Sequence, residues 1–387
     1  MCPKKGFLLP GLILEGRKPF PRRMRGIQRG FEKFLKTVRS HCEEDSEVLM
    51  AMESTGCYHI NLSSFLTSQG IRTMVVNPLL IANYAKLSSR KTMTDKKDAM
   101  TIVRFLLDHH KEISQLSISQ DIQDLRDLSR EKESLSHLVS ATKVEIKRVL
   151  RTTFPEIETI GDIYTGVMFR LIQEYPSARL VRAAKKKGIA KLLKQPYVGN
   201  KLTFTAEDIV KVAQSSLATV SPAKEIILRG KIGTLLHLQE RLAEVTKLLI
   251  DSCKSTKVGD LEILRSINGV RPNTAAPFLA EMGEVNNYTS YKKLIAYEGI
   301  GPSVRQSGKF IGMSKLSKRG NRHLRRTIYL MTASVVSQSP FFRAYFLKGK
   351  REGLAPQKAI FATAHKLIRV IFAMLSQRTR FNVKEAL

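Results

Sequence analysis

Tryptophan is absent from this 387-residue chain, and its tyrosines and phenylalanines do not interleave with its lysines and arginines. A single-strand stacking platform needs aromatic faces set among cations, so that class is disfavoured. Cysteine is scarce: Cys2, Cys42, Cys57 and Cys253 show no C-x-x-C or Cys/His ligand spacing. Free thiols in a reducing cytoplasm are expected, with no zinc site. Histidine offers no metal spacing either, because the adjacent His109 and His110 would point apart on a helix. Asn, Lys, Arg or Pro interrupts every apolar stretch before it reaches the length of a membrane span. The N-terminal "GFLLPGLIL" is short, holds a proline and lacks a small-residue cleavage site, so no signal peptide is expected.

The most informative shortage is of acid. Lys and Arg number 65 against 34 Asp and Glu, giving a formal charge of +31 and a pI near 10.1. The excess sits at the ends. Residues 1–40 hold eleven cations against Glu15 and Glu32, and residues 299–387 hold eighteen against Glu352 and Glu385. So one-sided a distribution favours a polyanion, most simply nucleic acid, over a generic solubility surface. An apolar content of 43% is ordinary for a folded chain, and the length suits two or three domains.

What is present begins as an α/β pattern. Residues 47–53 ("EVLMAME") and 71–77 ("IRTMVVN") are β-rich, and a helical segment over 60–68 separates them. This spacing predicts a βαβ unit with two parallel strands. A helix follows Pro78, and another runs from Asp95 to His109 with Met100, Ile102, Val103, Leu106 and Leu107 at helical spacing. Two long amphipathic stripes come next. Ile118, Ile122, Leu125, Leu135, Val139 and Ile146 form one, and Leu228, Ile232, Leu235, Leu238, Leu242, Val245 and Leu249 the other. They are expected to pair as an antiparallel or intermolecular coiled coil. The basic run 185–187 between them reads as a solvated helix face. After residue 257 the pattern is mainly helical: a helix–turn–helix over 264–283, a short helix in "YTSYKKLIAYEGI", a loop or hairpin over 301–321, and helices over 322–337 and 356–376.

Three stretches carry chemistry. Glu53 ends a predicted strand before a Ser54-Thr55-Gly56 turn, the edge where open α/β sheets place ligands. Asp95 and Asp98, three apart, share one face of a helix start. Converging carboxylates are what paired Mg²⁺ ions need for phosphoryl transfer. On spacing alone, however, helix capping is the simpler reading of the two aspartates. The string "SINGVRPNTAA" approximates a helix-hairpin-helix, whose turn at Gly269 would offer backbone N–H groups to a phosphate. Arg271 stands where a second glycine is usual, and ordinary helix packing is a fair rival. In "RQSGKFIGMSKLSKRGNRHLRR", Ser307 precedes a glycine among Lys309, Lys315, Lys318, Arg319, Arg322, Arg325 and Arg326. Cations there can neutralise a scissile phosphate, and a hydroxyl can attack its phosphorus. A lone Ser-Gly is more often a turn former. His323 and His365, in basic helices, are weak candidates for phosphate contact.

In this order, "ESTGCY", "VVNP", "RKTMTDKKDA", "LRSINGVRPNTAA", "LIAYEGIGPSVRQSGK" and "SKRGNRHLRR" closely resemble the insertion sequence 110 family of DEDD transposases. The resemblance runs from about residue 26 to 376. It implies an RNase H-like (RuvC-like) α/β domain over 1–115, a helical coiled-coil segment over 116–256, and a mainly α C-terminal transposase domain over 257–380. It further implies that Glu53, Asp95 and Asp98 hold Mg²⁺ and that Ser307 is the nucleophile of a composite site across subunits. DNA ends and target, a noncoding bridge RNA, a dimer or tetramer, and a cytoplasmic, nucleoid-associated setting without membrane follow from the same likeness. The family's first acidic residue is an Asp in a "GIDVSK"-like first strand, and this chain has no Asp before Asp45. Glu15 is the one carboxylate near that place. The expectation is therefore a chain truncated at its start, lacking its first strand. A RuvC-type junction nuclease without serine chemistry, and an inactive copy that only binds nucleic acid, remain the alternatives.

Overall fold

The computed structural model describes residues 7–9, 22–24, 28–40, 48–53, 58–76, 78–85, 95–109, 120–196, 202–303, 306–307, 310–311 and 315–383. They fall in two compact units, Met1–Ser117 and Ile118–Leu387.

In the first unit, β1 (Phe7–Leu9) pairs antiparallel with β2 (Arg22–Met24). Helix α1 (Gln28–Arg39) follows and buries Phe31, Leu35 and Val38, spaced as one helical face requires. Then come β3 (Leu49–Glu53), α2 (Tyr58–Ser68), β4 (Arg72–Val76), α3 (Pro78–Ala85) and α4 (Asp95–His109). β3 and β4 are parallel, in register from Leu49↔Arg72 to Glu53↔Val76. The period-2 alternation of β3 splits the core. Met50 and Met52 join Leu62 and Leu66 of α2 and Phe31 and Leu35 of α1 on one face. Leu49 and Ala51 join Met74, Val76, Ile81 and the α4 residues Ile102, Phe105 and Leu106 on the other.

The multi-stranded RNase H-like sheet implied by the resemblance is not assembled among the described residues. Each described ladder has two strands only, and β3–β4 is not joined to β1–β2. The three-residue β1 and β2 spend their described pairing on each other, so neither extends the parallel pair.

The second unit is mainly helical. A 34-residue helix α5 (Gln120–Thr153) and a 35-residue helix α9 (Pro222–Thr256) form its axis. Between them lie a 3-10 turn (Pro155–Thr159), α6 (Gly166–Glu174), α7 (Ala178–Leu193) and α8 (Ala206–Gln214). After them come α10 (Asp260–Arg265), α11 (Pro272–Met282) and α12 (Tyr291–Glu298), followed by strands β5 (Pro302–Ser303), β6 (Gln306–Ser307), β7 (Phe310–Ile311) and β8 (Lys315–Leu316). Helices α13 (Arg322–Gln338), α14 (Pro340–Arg351) and α15 (Pro356–Gln377) complete it.

The partners of each stripe show that α5 and α9 run antiparallel within one chain. The end of α5 (Ile146, Leu150) meets the start of α9 (Leu228, Ile232) in a core shared with α6, α7 and α8. The start of α5 (Ile122, Leu125) meets the end of α9 (Leu249, Cys253) in a second core shared with α10, α11 and α13 to α15. Ser221 starts α9 by accepting the Lys224 N–H, with Pro222 in the first turn where its missing donor costs nothing. Buried Arg126 donates to the carbonyls of Ala280 and Glu281, and Arg130 forks onto the buried Glu281 carboxylate at 2.9 and 3.2 Å. These contacts lock α5 to α11.

Helix α15 has a mean hydropathy of 1.5 over 18 residues, enough by length and composition to cross a membrane, which the sequence reading did not anticipate. Half of that window is buried, with Leu367, Ile368, Ile371 and Leu375 inside the second core. Cys253 is free and buried there, its thiol pushed up to about 11 by desolvation, whereas Cys2, Cys42 and Cys57 lie outside the described residues.

Candidate functional site

Glu53 is the last residue of β3 and is half-buried. Asp95 opens α4 and Asp98 lies within its first turn. Helix α4 packs on β3, so the three carboxylates stand on touching elements of one unit. The side chains of Asp95 and Asp98 lie outside the described residues, as do Glu15 and the Ser54-Thr55-Gly56 turn. Among the described residues no group of three His, Cys, Asp or Glu side chains converges.

The expected loop or hairpin over 301–321 is a ribbon. β5 pairs antiparallel with β8, and β6 with β7, where Ser307 opposes Phe310. Ser307 thus ends a strand beside the ribbon's turn; its backbone is placed, and Lys309 lies outside the described residues. The root of the ribbon is held by main-chain bonds. Ser317 N–H donates to the Gly301 carbonyl at 2.9 Å, Lys318 to Gly299 at 3.0 Å and Asn321 to Tyr297 at 2.8 Å. Gly320 is required by space, since a Cβ there would stand 2.4 Å from the Tyr297 carbonyl oxygen and 2.6 Å from the Gly299 nitrogen. Asn321 then caps α13, accepting the N–H groups of His323 and Leu324 while its amide donates to Glu281 at 2.7 Å.

The basic residues around this root divide in two. Lys318, Arg319, Arg322 and Arg271 are exposed and available to an anion; Lys315 is placed by its backbone alone. Arg325 is spent internally: its Nη1 donates to the Glu298 carbonyl at 2.9 Å and sits where a Gly299 side chain would. Arg326 faces Glu133 of α5 at 3.4 Å. His323 Nδ1 lies 2.6 Å from the same carboxylate, and His365 Nε2 3.0 Å from the Ile300 carbonyl. Arg325 and both histidines thus also make contacts within the fold. Gly269 likewise has a structural duty. Its φ is +98°, and a Cβ would lie 2.7 Å from Val335 Cα, while its carbonyl accepts the Ser334 hydroxyl at 2.7 Å. Close approach to α13, the rival weighed for this turn, accounts for the glycine.

Glu298, at the foot of the ribbon, is fully buried, and neither carboxyl oxygen has a hydrogen-bond partner among the described residues. Desolvation pushes its pKa well above the ordinary 4.5. Below about 4.5 the folded and unfolded chains both hold the proton; as pH rises, only the unfolded chain releases it readily. Stability is therefore expected to fall as pH rises above that value. Glu298→Met should flatten this slope and raise stability at neutral pH by about 1–3 kcal/mol, read from melting curves between pH 4 and 8. An unchanged slope would contradict a buried neutral acid.

A family model described as "Transposase", of the DEDD IS110 type, matches residues 12–155. A second, described as "Transposase IS116/IS110/IS902 family", matches residues 261–347. The chain belongs to the IS110 family of transposases. The first match takes in Glu53, Asp95 and Asp98, and the second takes in Gly269, Ser307 and the basic ribbon root. This transposase is 24% identical over 322 residues to the "Insertion element IS110 uncharacterized 43.6 kDa protein" of Streptomyces coelicolor, covering 80% of this chain and 77% of that protein. It is 22% identical over 372 residues to the corresponding IS116 protein of Streptomyces clavuligerus (90% and 88%). It is 20% identical over 358 residues to the "Pilin gene-inverting protein" of Moraxella lacunata (92% and 88%). Sequence reasoning passed over the buried acids Glu281 and Glu298; their signal was a carboxylate inside an otherwise apolar helical stripe.

Proposed function

We propose that this IS110-family transposase mobilises an insertion sequence by Mg²⁺-dependent strand cleavage and rejoining, with Ser307 as nucleophile. The observation that supports it most is the setting of Ser307, at the end of a strand on a ribbon whose root is locked to the unit carrying the most basic segment. In cleavage the Ser307 hydroxyl oxygen bonds to the scissile phosphorus as the bond to one strand's sugar oxygen breaks. The serine proton departs, and the released oxygen ends as a hydroxyl. In rejoining, a strand-end hydroxyl displaces the serine, which recovers its proton, so no high-energy cofactor is consumed.

Glu53, Asp95 and Asp98 supply oxygen donors only, the set that a hard divalent cation prefers. Bound there, the cation would polarise the phosphate and stabilise the leaving oxygen. Exposed Lys318, Arg319 and Arg322 would hold the phosphodiester near Ser307. Likeness to the pilin gene-inverting proteins supports exchange between two DNA segments, and the family resemblance supports a bridge RNA guide and a dimer or tetramer.

The test combines Mg²⁺, the element's transcribed RNA and duplexes carrying the element ends and target. Joined strands are expected with the wild-type chain, falling about a hundredfold or more with Asp95→Asn and Asp98→Asn together. Cleavage that survives Ser307→Ala would select the junction-nuclease reading. Tight binding without any cleavage would select the non-catalytic one.

A further inference from the structure

Between α5 and α9 lies a cleft of about 740 Å³. Lys132, Ser136 and Lys143 of α5 face Thr246 and Lys247 of α9, and Asn273 in the first turn of α11 closes one end. The cleft marks a polar break in the stripe of α5. Ile122 and Leu125 lie in one core and Val139 and Ile146 in the other, while Ser129, Lys132 and the buried Leu135 stand between. An apolar residue at position 132 would close this seam better, so the lysine carries a cost in stability.

That cost is visible in its surroundings. No ion pair holds the Lys132 ammonium among the described residues, and burial, with Arg326 nearby, depresses its pKa. Glu133, its neighbour, is engaged by His323 and Arg326. Lys247 is exposed across the cleft and also without an ion pair among the described residues. Lys143 lies 4.8 Å from the Tyr164 ring centroid and has no ion pair among the described residues. Asp251 is the one carboxylate on the wall, and Lys254 neutralises it at 3.2 Å. Three lysines, two hydroxyls and the amides of Gln239 and Asn273 thus face a space larger than one small anion needs.

We infer that the α5–α9 cleft is a phosphodiester-binding site, seating a stretch of nucleic-acid backbone on Lys132 and Lys247 with Thr246 and Asn273 as neutral donors. Phosphate oxygens take this mixture of lysine, hydroxyl and amide donors, and such contacts hold a strand in place without reading its sequence. The inference rests on the DNA-handling reading above and extends it to a surface outside both family matches for α9. DNA and RNA backbones share this chemistry, so both are probed.

The experiment measures fluorescence anisotropy of a labelled DNA duplex and of a labelled single-stranded RNA with the full chain, over a salt series. Variants are Lys132→Met, Lys247→Gln and, as a control, Lys187→Gln on exposed α7. Lys132→Met should melt no lower than wild type, because it removes a half-buried charge that no ion pair holds among the described residues. For each cleft variant, the slope of log affinity against log salt should shrink by about 0.9 for duplex DNA or about 0.7 for single-stranded RNA. Lys187→Gln should leave it unchanged. A change with the duplex alone assigns the site to DNA, and with the single strand alone to RNA. Folded cleft variants with wild-type slopes for both polymers, or an equal change in Lys187→Gln, would overturn the site while leaving the functional reading intact. A wild-type chain that binds neither polymer would overturn both.

Discussion

Ser307→Ala is expected to lower strand exchange by about 10⁴-fold or more, the scale of losing a nucleophile outright. The fold should be indifferent to the change. β6 is held to β7 by main-chain bonds, which a change of side chain leaves in place. DNA binding should persist too, since it draws on the exposed cations of the ribbon root and not on a neutral hydroxyl. Single-turnover exchange rates, gel shifts and melting curves on the same preparation separate the three. A loss of only a few-fold would mean that water or another group attacks the phosphate.

Gly269→Ala is expected to destabilise the second unit by roughly 2–4 kcal/mol, combining a strained positive φ with overpacking. The added methyl carbon would fall 2.7 Å from Val335 Cα and 2.8 Å from the Ser334 carbonyl oxygen. Neither can retreat cheaply, because Ile328, Met331 and Val335 anchor α13 in the core. On a unit of this size the melting temperature should drop by roughly 5–15 °C. Gly353 is the control, with a φ of +85° and nothing within 4 Å of a built Cβ. Gly353→Ala should carry the backbone term alone, about 1 kcal/mol. Equal losses at the two sites would show that the α11 turn does not need its close approach to α13.

Local signals in the sequence were reliable where structure is local. The β-rich runs 47–53 and 71–77 set β3 and β4 with α2 between them, and the 3/4 stripes set α5 and α9 to within about two turns. Helix α14 was missed because Ser339-Pro340 reads as a stop, whereas Pro340 opens a new helix at a position where its missing N–H is harmless. The wider sheet was not legible because strand pairing is non-local: period 2 fixes which face of β3 is buried, not which strand lies beside it. The internal contacts of charged residues are non-local in the same way. Arg325 belongs to a basic run, yet the backbone of Glu298 and the gap above Gly299 claim it. Lys132 is one of many charges along α5 in the sequence, and only the fold shows that it lines a cleft between α5 and α9.

The central claim is that Ser307 becomes covalently bound to DNA in a reaction that depends on Glu53, Asp95 and Asp98. It is tested most directly by quenching the Mg²⁺ reaction, digesting the protein–DNA adduct and locating the nucleotide by mass spectrometry. The account predicts a phosphodiester on the peptide containing Ser307, absent from Ser307→Ala and from Glu53→Gln. Cleaved DNA with no adduct, or an adduct on another residue, would contradict it.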